Sequence, residues 1–381
     1  MPMQGGGMEI IMLDLFSNVL NITWQQGVMW IIGGLLIYLA IKKDMEPSLL
    51  LPMGFGAILV NLPLSGAVTQ IYDGVAEVGV IDVLFNAGIA NELFPLLLFV
   101  GIGAMIDFGP LLSNPKLMIF GAAAQFGIFF TLSMASMFGF DIKDAASIAI
   151  IGAADGPTSI FVANYFNSKY IGAIMVAAYS YMALVPLIQP PVIKALTTKK
   201  ERLIRMPYEQ KSVSKTTKIL FPIIITAVTG IVSPRSVALI GFLMFGNLVR
   251  ECGVLDSLSE TAQKVLANLI TLFLGITIAT KMQADMFLTK ETLMIIALGL
   301  VAFIFDTAGG VVFAKILNLF LKDGKKINPM IGAAGISAFP MSARVVHKMG
   351  LKEDSQNFLL MHSIGVNVSG QIASVIAGGI I

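Results

Sequence analysis

Apolar residues run along this chain in unbroken blocks, such as Ile219 to Val232, and not in the single-faced stripes of soluble helices. About 20 such residues cross a hydrocarbon core. In that solvent only helices or closed barrels satisfy their own backbone groups, and these blocks lack the two-residue alternation of a barrel strand. The pattern predicts an all-α, polytopic membrane protein of about 10 transmembrane helices. Composition agrees: 56% of the 381 residues are hydrophobic and 13% charged, against about 25% charged in a soluble domain.

Residues 8–24 read as an amphipathic segment lying on the membrane surface. Glu9 and Asp14 stand where a leader would be basic, so no cleaved signal peptide is expected. The long polar stretch Lys194 to Lys218 carries eight lysines and arginines against Glu201 and Glu209, which predicts a cytoplasmic location. The two sides of this loop resemble each other. Leu98-Phe-Val-Gly-Ile102 matches Leu272-Phe-Leu-Gly-Ile276, and Ile151-Gly-Ala-Ala154 matches Ile331-Gly-Ala-Ala334. Four regions follow: an N-terminal part with the first spans (1–90), a first repeat (91–193), the basic loop with two linking spans (194–265), and a second repeat (266–381). Each repeat has two apolar spans, a glycine-rich interruption read as a re-entrant hairpin (146–165 and 329–343), and a final span. Three crossings each, with two spans between, make the repeats inverted. The basic clusters Lys42-Lys43, Lys194–Lys218, Lys322–Lys326 and Arg344 with Lys348 then fall inside, and Asp73–Glu92, which has no basic residue, falls outside. Arg235, Lys281 and Lys290 are exceptions. The cytoplasmic membrane is the expected location.

The interruptions hold the chemistry. The first reads Gly152-Ala-Ala-Asp155-Gly-Pro-Thr158. An ionised carboxylate in such an apolar stretch costs roughly 2.5–3.5 kcal/mol on insertion scales. Gly156 frees the backbone and Pro157 suits the first position of a new helix. Asp155 is therefore either the cap of that helix or, with unwound carbonyls, a ligand to a sodium ion. The second interruption supplies neutral oxygens from Asn328 and Ser337 and ends in Arg344. That guanidinium could grip an anionic substrate bidentately or snorkel as a topology anchor. Asn367, between glycines in the last span, either contacts the site or binds a neighbouring helix. Tyr181 reads as a proton donor, a ligand or a packing residue. Asp306, a second intramembrane carboxylate, pairs with a lysine or bonds locally. Cys252 is alone and the histidines are only His347 and His362, which argues against a cysteine cage, zinc or haem. The small net charge of +2 brings no expectation of a nucleic-acid partner.

Four runs resemble the membrane β subunit of the sodium-pumping biotin-dependent decarboxylases, whose members act with oxaloacetate, methylmalonyl-CoA, glutaconyl-CoA or malonate. They are Gly152-Ala-Ala-Asp-Gly-Pro-Thr, Ala178-Tyr-Ser-Tyr-Met-Ala-Leu-Val-Pro, Gly332-Ala-Ala-Gly-Ile-Ser-Ala-Phe-Pro-Met-Ser-Ala-Arg344 and Met361-His-Ser-Ile-Gly-Val-Asn-Val-Ser-Gly-Gln-Ile. The resemblance runs from about residue 25 to the end. It implies decarboxylation of carboxybiotin coupled to Na+ export, with Asp155 as the sodium-linked carboxylate. It also implies that Tyr181, Asn328, Gly332, Ser337, Arg344 and Asn367 belong to the sodium or carboxybiotin site. Tyr181 or Ser337 is the candidate for relaying the proton. The sequence shows no Ala-Met-Lys-Met biotin-attachment site, so a separate biotin carrier protein is expected. A carboxyltransferase α subunit, a small membrane γ or δ subunit and a homo-oligomer are the other expected partners. A sodium-coupled organic anion symporter is the rival reading, since it shares the architecture.

Overall fold

The computed structural model describes residues 22–72, 75–207, 212–322 and 324–381. Most of the expected surface segment 8–24 lies outside them. The described chain is almost entirely helical. The main helices are α1 (Trp24–Lys43), α2 (Pro47–Val60), α3 (Val80–Gly88), α4 (Leu93–Met105), α5 (Pro115–Met137), α6 (Ile142–Ala149), α7 (Gly156–Tyr165), α8 (Ile171–Leu196), α9 (Lys215–Val232), α10 (Val237–Glu251), α11 (Asp256–Met282), α12 (Lys290–Phe320), α13 (Met341–Glu353) and α14 (Leu360–Ile380). Seven of these are long and apolar enough to cross a membrane: α1, α5, α8, α9, α11, α12 and α14. The count is eight if α3 and α4 are taken as one bent span. The protein is therefore a multi-pass membrane protein.

A small departure from an all-helical reading is the antiparallel hairpin of β1 (Gln70–Tyr72) and β2 (Val75–Glu77), in register Gln70 with Glu77. Ile71 and Val75 are β-favouring residues, and the sequence between the strands is Asp-Gly, a pair suited to tight hairpins.

Two compact units make up the described residues: those up to Asn91 with Leu272–Leu293, and those of Glu92–Thr271 with Met294–Ile381. In the smaller unit Asn61, buried at the end of α2, satisfies its whole amide. It donates to the carbonyls of Ala57 and Met282 at 2.8 Å each and accepts from the Ala284 N–H at 2.8 Å. Such pairing is required of a buried polar group in an apolar surround.

The larger unit carries both interrupted segments. In the first, α6 tightens into a 3-10 turn, Ile150–Ala153, and Ala154 takes the left-handed conformation at φ 51°. Pro157 at the start of α7 fits the fixed φ of a first helical turn. In the second, Asn328 caps a 3-10 stretch, Pro329–Gly335, which passes through extended Ile336 and a cis Phe339–Pro340 bond into α13. Gln189 of α8, fully buried, donates to the Ala333 carbonyl at 2.7 Å and to Ser342 Oγ at 2.9 Å, holding this stretch in place. The Ser337 N–H donates to the Ala153 carbonyl at 2.9 Å, so the two interruptions meet main chain to main chain.

Candidate functional site

Asp155 sits at the break in the first interruption, between its 3-10 turn and α7, 3% exposed. As N-cap of α7 it accepts from the Thr158 N–H at 3.3 Å through Oδ1. Its second oxygen accepts from Thr158 Oγ1 at 2.7 Å, Ser374 Oγ at 3.0 Å and Gln371 Nε2 at 3.1 Å. Ser374 is also joined by a short hydrogen bond to Ser337 Oγ, and Ser337 Oγ reaches the Gly370 carbonyl at 3.1 Å. The first interruption, the second and α14 thus converge on one carboxylate. Capping and convergence are both true of Asp155, so the two readings of this residue are not exclusive.

The α14 contribution follows from helical spacing. Asn367, Gln371 and Ser374 stand at i, i+4 and i+7, which places them on one face. Asn367 donates to the Ala334 and Ile336 carbonyls at 3.1 and 2.7 Å, binding α14 to the second interruption. Its Oδ1 is buried with no hydrogen-bond partner. A second orphaned oxygen is the Tyr179 hydroxyl, fully buried in α8. The Tyr179 ring lies where a side chain at position 156 would begin, so only glycine fits between α7 and α8 there.

Tyr181 is turned away from this cluster. Its hydroxyl donates to the Ile296 carbonyl of α12, and its ring stacks near Phe303 at 6.4 Å between centroids. Two residues along a helix differ by about 200° in direction, so Tyr179 and Tyr181 cannot face the same group. Asn328 is likewise remote from Asp155 in its bonding. Its Oδ1 accepts from the Met330 N–H at 3.1 Å, and its Nδ2 donates to the Arg202 and Ile204 carbonyls at 2.9 Å each. Seven residues of 3-10 helix at about 2.0 Å rise separate it from Gly335 by roughly 14 Å. Ser337 therefore joins Asp155, and Asn328 does not.

Gly332 lies at a backbone crossing with Gly310 of α12, where an added Cβ on either would overlap the other's carbonyl. Arg344 is exposed on α13, and its guanidinium makes no ion pair among the described residues. An unpaired guanidinium of this kind suits a carboxylate ligand. Asp306 is fully buried in α12. One oxygen accepts from the Ile128 N–H at 3.1 Å, and the other has no partner and lies against Gly152. It binds a backbone amide of α5, not a lysine.

One carboxylate met by two hydroxyls and an amide nitrogen, with orphaned oxygens at Asn367 and Tyr179 on α14 and α8, is a donor set that could hold a hard monovalent cation. Soft or divalent metals draw thiolate, imidazole or several carboxylates. Thr158, Gln371, Ser374 and Tyr179 escape a reading of the sequence that searches for charge. The spacing from Asn367 is the signal that would have found two of them.

Comparison with known proteins identifies the family. The family described as "Na+-transporting oxaloacetate decarboxylase beta subunit" covers residues 25–381. The β subunit of glutaconyl-CoA decarboxylase from Acidaminococcus fermentans is 49% identical, over 95% of this chain and 94% of its own. The β subunit of methylmalonyl-CoA decarboxylase from Veillonella parvula is also 49% identical with the same coverage. A probable oxaloacetate decarboxylase β chain from Vibrio cholerae is 43% identical, over 95% of this chain and 96% of its own. With matches at this identity along nearly its whole length, the chain belongs to the family of Na+-transporting decarboxylase β subunits.

Proposed function

We propose that this chain decarboxylates carboxybiotin and uses the energy released to export Na+, with Asp155 as the carboxylate that carries the ion. The observation that supports this most directly is the convergence of both interruptions and α14 on Asp155, in a member of this family. Ser337, Ser374, Thr158, Asn367 Oδ1 and the Tyr179 hydroxyl are the neutral oxygens we assign to the ion, and Gln371 positions the carboxylate. Asn328 and Gly332 we assign to shaping the second interruption, Asn328 by capping it and tying it to residues 202–204.

Carboxybiotin supplies an N-carboxyl bond whose cleavage, with uptake of one proton at nitrogen, gives CO2 and free biotin. Arg344 is our candidate for holding its carboxylate. Ser337 is the better-supported proton relay, since it bonds Ser374 and thereby Asp155, whereas the Tyr181 hydroxyl is committed to Ile296. Exporting one charge against about 150 mV takes roughly 3.5 kcal/mol, which is the least that cleavage must supply for each ion moved.

The finer architecture we favour has ten crossings, adding α2, α4 and α10 as short spans to the seven long ones. Residues 91–193 and 266–381 form inverted repeats in this reading, each with one interruption at membrane depth. The loop charges support a cytoplasmic-membrane orientation with residues 194–218 inside. Biotin arrives on a separate carrier protein; a carboxyltransferase α subunit, a small γ or δ membrane subunit and further copies of this chain complete the complex. The relatives at 49% identity are acyl-CoA decarboxylase subunits, and their alignments span 363 positions. The Vibrio cholerae alignment runs to 418, longer than this chain, so that relative carries inserted segments. Both facts favour an acyl-CoA as the upstream substrate. A sodium-driven anion symporter is not favoured by relatives that are decarboxylase subunits.

The test is release of CO2 from free carboxybiotin by the purified protein as a function of Na+. Sodium-stimulated release that Asp155→Asn abolishes is the expected result. Full sodium stimulation in that variant would remove the ion from Asp155. Ser374→Ala should raise the half-saturating Na+ concentration by about 10-fold, the loss of one hydrogen bond to a charged group.

A further inference from the structure

α13 buries Val345, Val346 and Met349 and exposes Arg344, Lys348 and Lys352. These three cations stand at i, i+4 and i+8, one above another on a single face. At 1.5 Å per residue the row is about 12 Å long. None of the three is paired with a carboxylate among the described residues. The acids that would quench the row are drawn away from it. Glu353, next to Lys352, is held by Arg202 Nε at 2.8 Å. Asp354 is held by Arg205 Nε at 2.6 Å, and Gln356 accepts from the same guanidinium at 2.8 Å. Asn328 and Asn357 both donate to the Arg202 carbonyl at 2.9 Å, fixing the segment that supplies these arginines. Phe358 adds an exposed ring, 64% accessible and 6.2 Å from the His347 ring on α13.

A row of unpaired cations attracts an acidic partner by its field, and the arginine at one end and the nearby exposed aromatic are residue types enriched in protein interfaces. Charge complementarity fixes the partner's sign. We propose that the Arg344–Lys348–Lys352 face of α13 docks an acidic surface of the polypeptide that carries biotin. Lys348 and Lys352 guide the carrier, and Arg344 at the end of the row receives the carboxylated head group. This rests on the functional reading above and assigns the two lysines a role in delivery only. Electrostatic guidance of this kind acts mainly on the association rate and is weakened by salt.

The test is the double variant Lys348→Glu/Lys352→Glu in the full chain. Decarboxylation is measured with free carboxybiotin and with the carboxylated carrier polypeptide, each at low and high ionic strength. Unchanged turnover of free carboxybiotin is expected, which also shows that the variant folds. The KM for the carboxylated carrier should rise about 10-fold or more at low salt, within the 10–10³ range of steering effects, and its salt dependence should flatten. An unchanged carrier KM, or an equal loss with both substrates, overturns the docking surface. An unchanged carrier KM with weaker binding to vesicles of anionic lipid would give the row to a lipid headgroup instead. If the wild type releases no CO2 from either substrate, the functional reading falls. Binding of the carrier to wild type and variant then decides the docking surface alone, and equal binding overturns it.

Discussion

A single buried carboxylate is conspicuous in a sequence, and Asp155 could be singled out because a charge in an apolar stretch needs a reason. The neutral oxygens around it could not. Serine and threonine are common in membrane helices and glutamine can bond one helix to another there, so nothing in their identity separates a ligand from a helix-packing residue. The two tyrosines make the point sharply: Tyr179 and Tyr181 share a motif, and only the rotation of α8 decides which meets Gly156 and which bonds Ile296. Tyr179→Phe should raise the Na+ concentration giving half-maximal decarboxylation while leaving Tm near wild type. Tyr181→Phe should do the reverse, lowering Tm by removing a bond worth about 1 kcal/mol. Sodium titration and thermal unfolding of both variants check the pair. Asn328→Ala should leave sodium affinity within about twofold, since the loss of remote hydrogen bonds is felt locally. Its effect should appear as faster proteolysis within residues 197–207, read by limited digestion.

At the scale of elements, the interruptions were legible because glycine and proline punctuate them. Their internal geometry was not. A glycine-rich stretch with no side-chain pattern gives no sign of being seven residues of 3-10 helix, and that length is what parts Asn328 from Ser337. Nor does the sequence show that position 332 is a crossing point, because the partner, Gly310, lies on another helix. The contact has no slack: Gly332→Ala forces two backbones apart, and overpacking of this kind destabilises by about 1–3 kcal/mol. A lower Tm in detergent, with a similar loss for Gly310→Ala, is the expected outcome. Normal stability in either variant would show that α12 and the second interruption can separate there.

For the whole molecule, helical class and membrane residence followed from composition and block length alone. The number of crossings is harder to read because α2, at 14 residues, spans only about 21 Å at 1.5 Å per residue. Outside the helices long and apolar enough to cross a membrane, the hydrogen bond from Arg205 to Asp354, with help from the Gln356 N–H, holds that carboxyl below the usual carboxylate range. A depressed value in the fold means stability that is fully present above the ordinary carboxylate pKa, about 3.9, and lost as pH falls through the lowered value. Tm should therefore drop on acidification below about pH 4, and Asp354→Asn should flatten that part of the curve. Scanning Tm against pH for both proteins checks the sign.

The bond from the Ser337 N–H to the Ala153 carbonyl belongs to the main chain, so no side-chain replacement other than proline at position 337 removes its donor or acceptor. The scaffold that brings the two interruptions together is thereby insulated from the groups that choose the ion. Residues around Asp155 can be exchanged one at a time without first dissolving the meeting point. Ion preference is thus open to drift or to engineering, for example toward lithium or protons, through hydroxyl positions such as Thr158 and Ser374 that leave this contact in place.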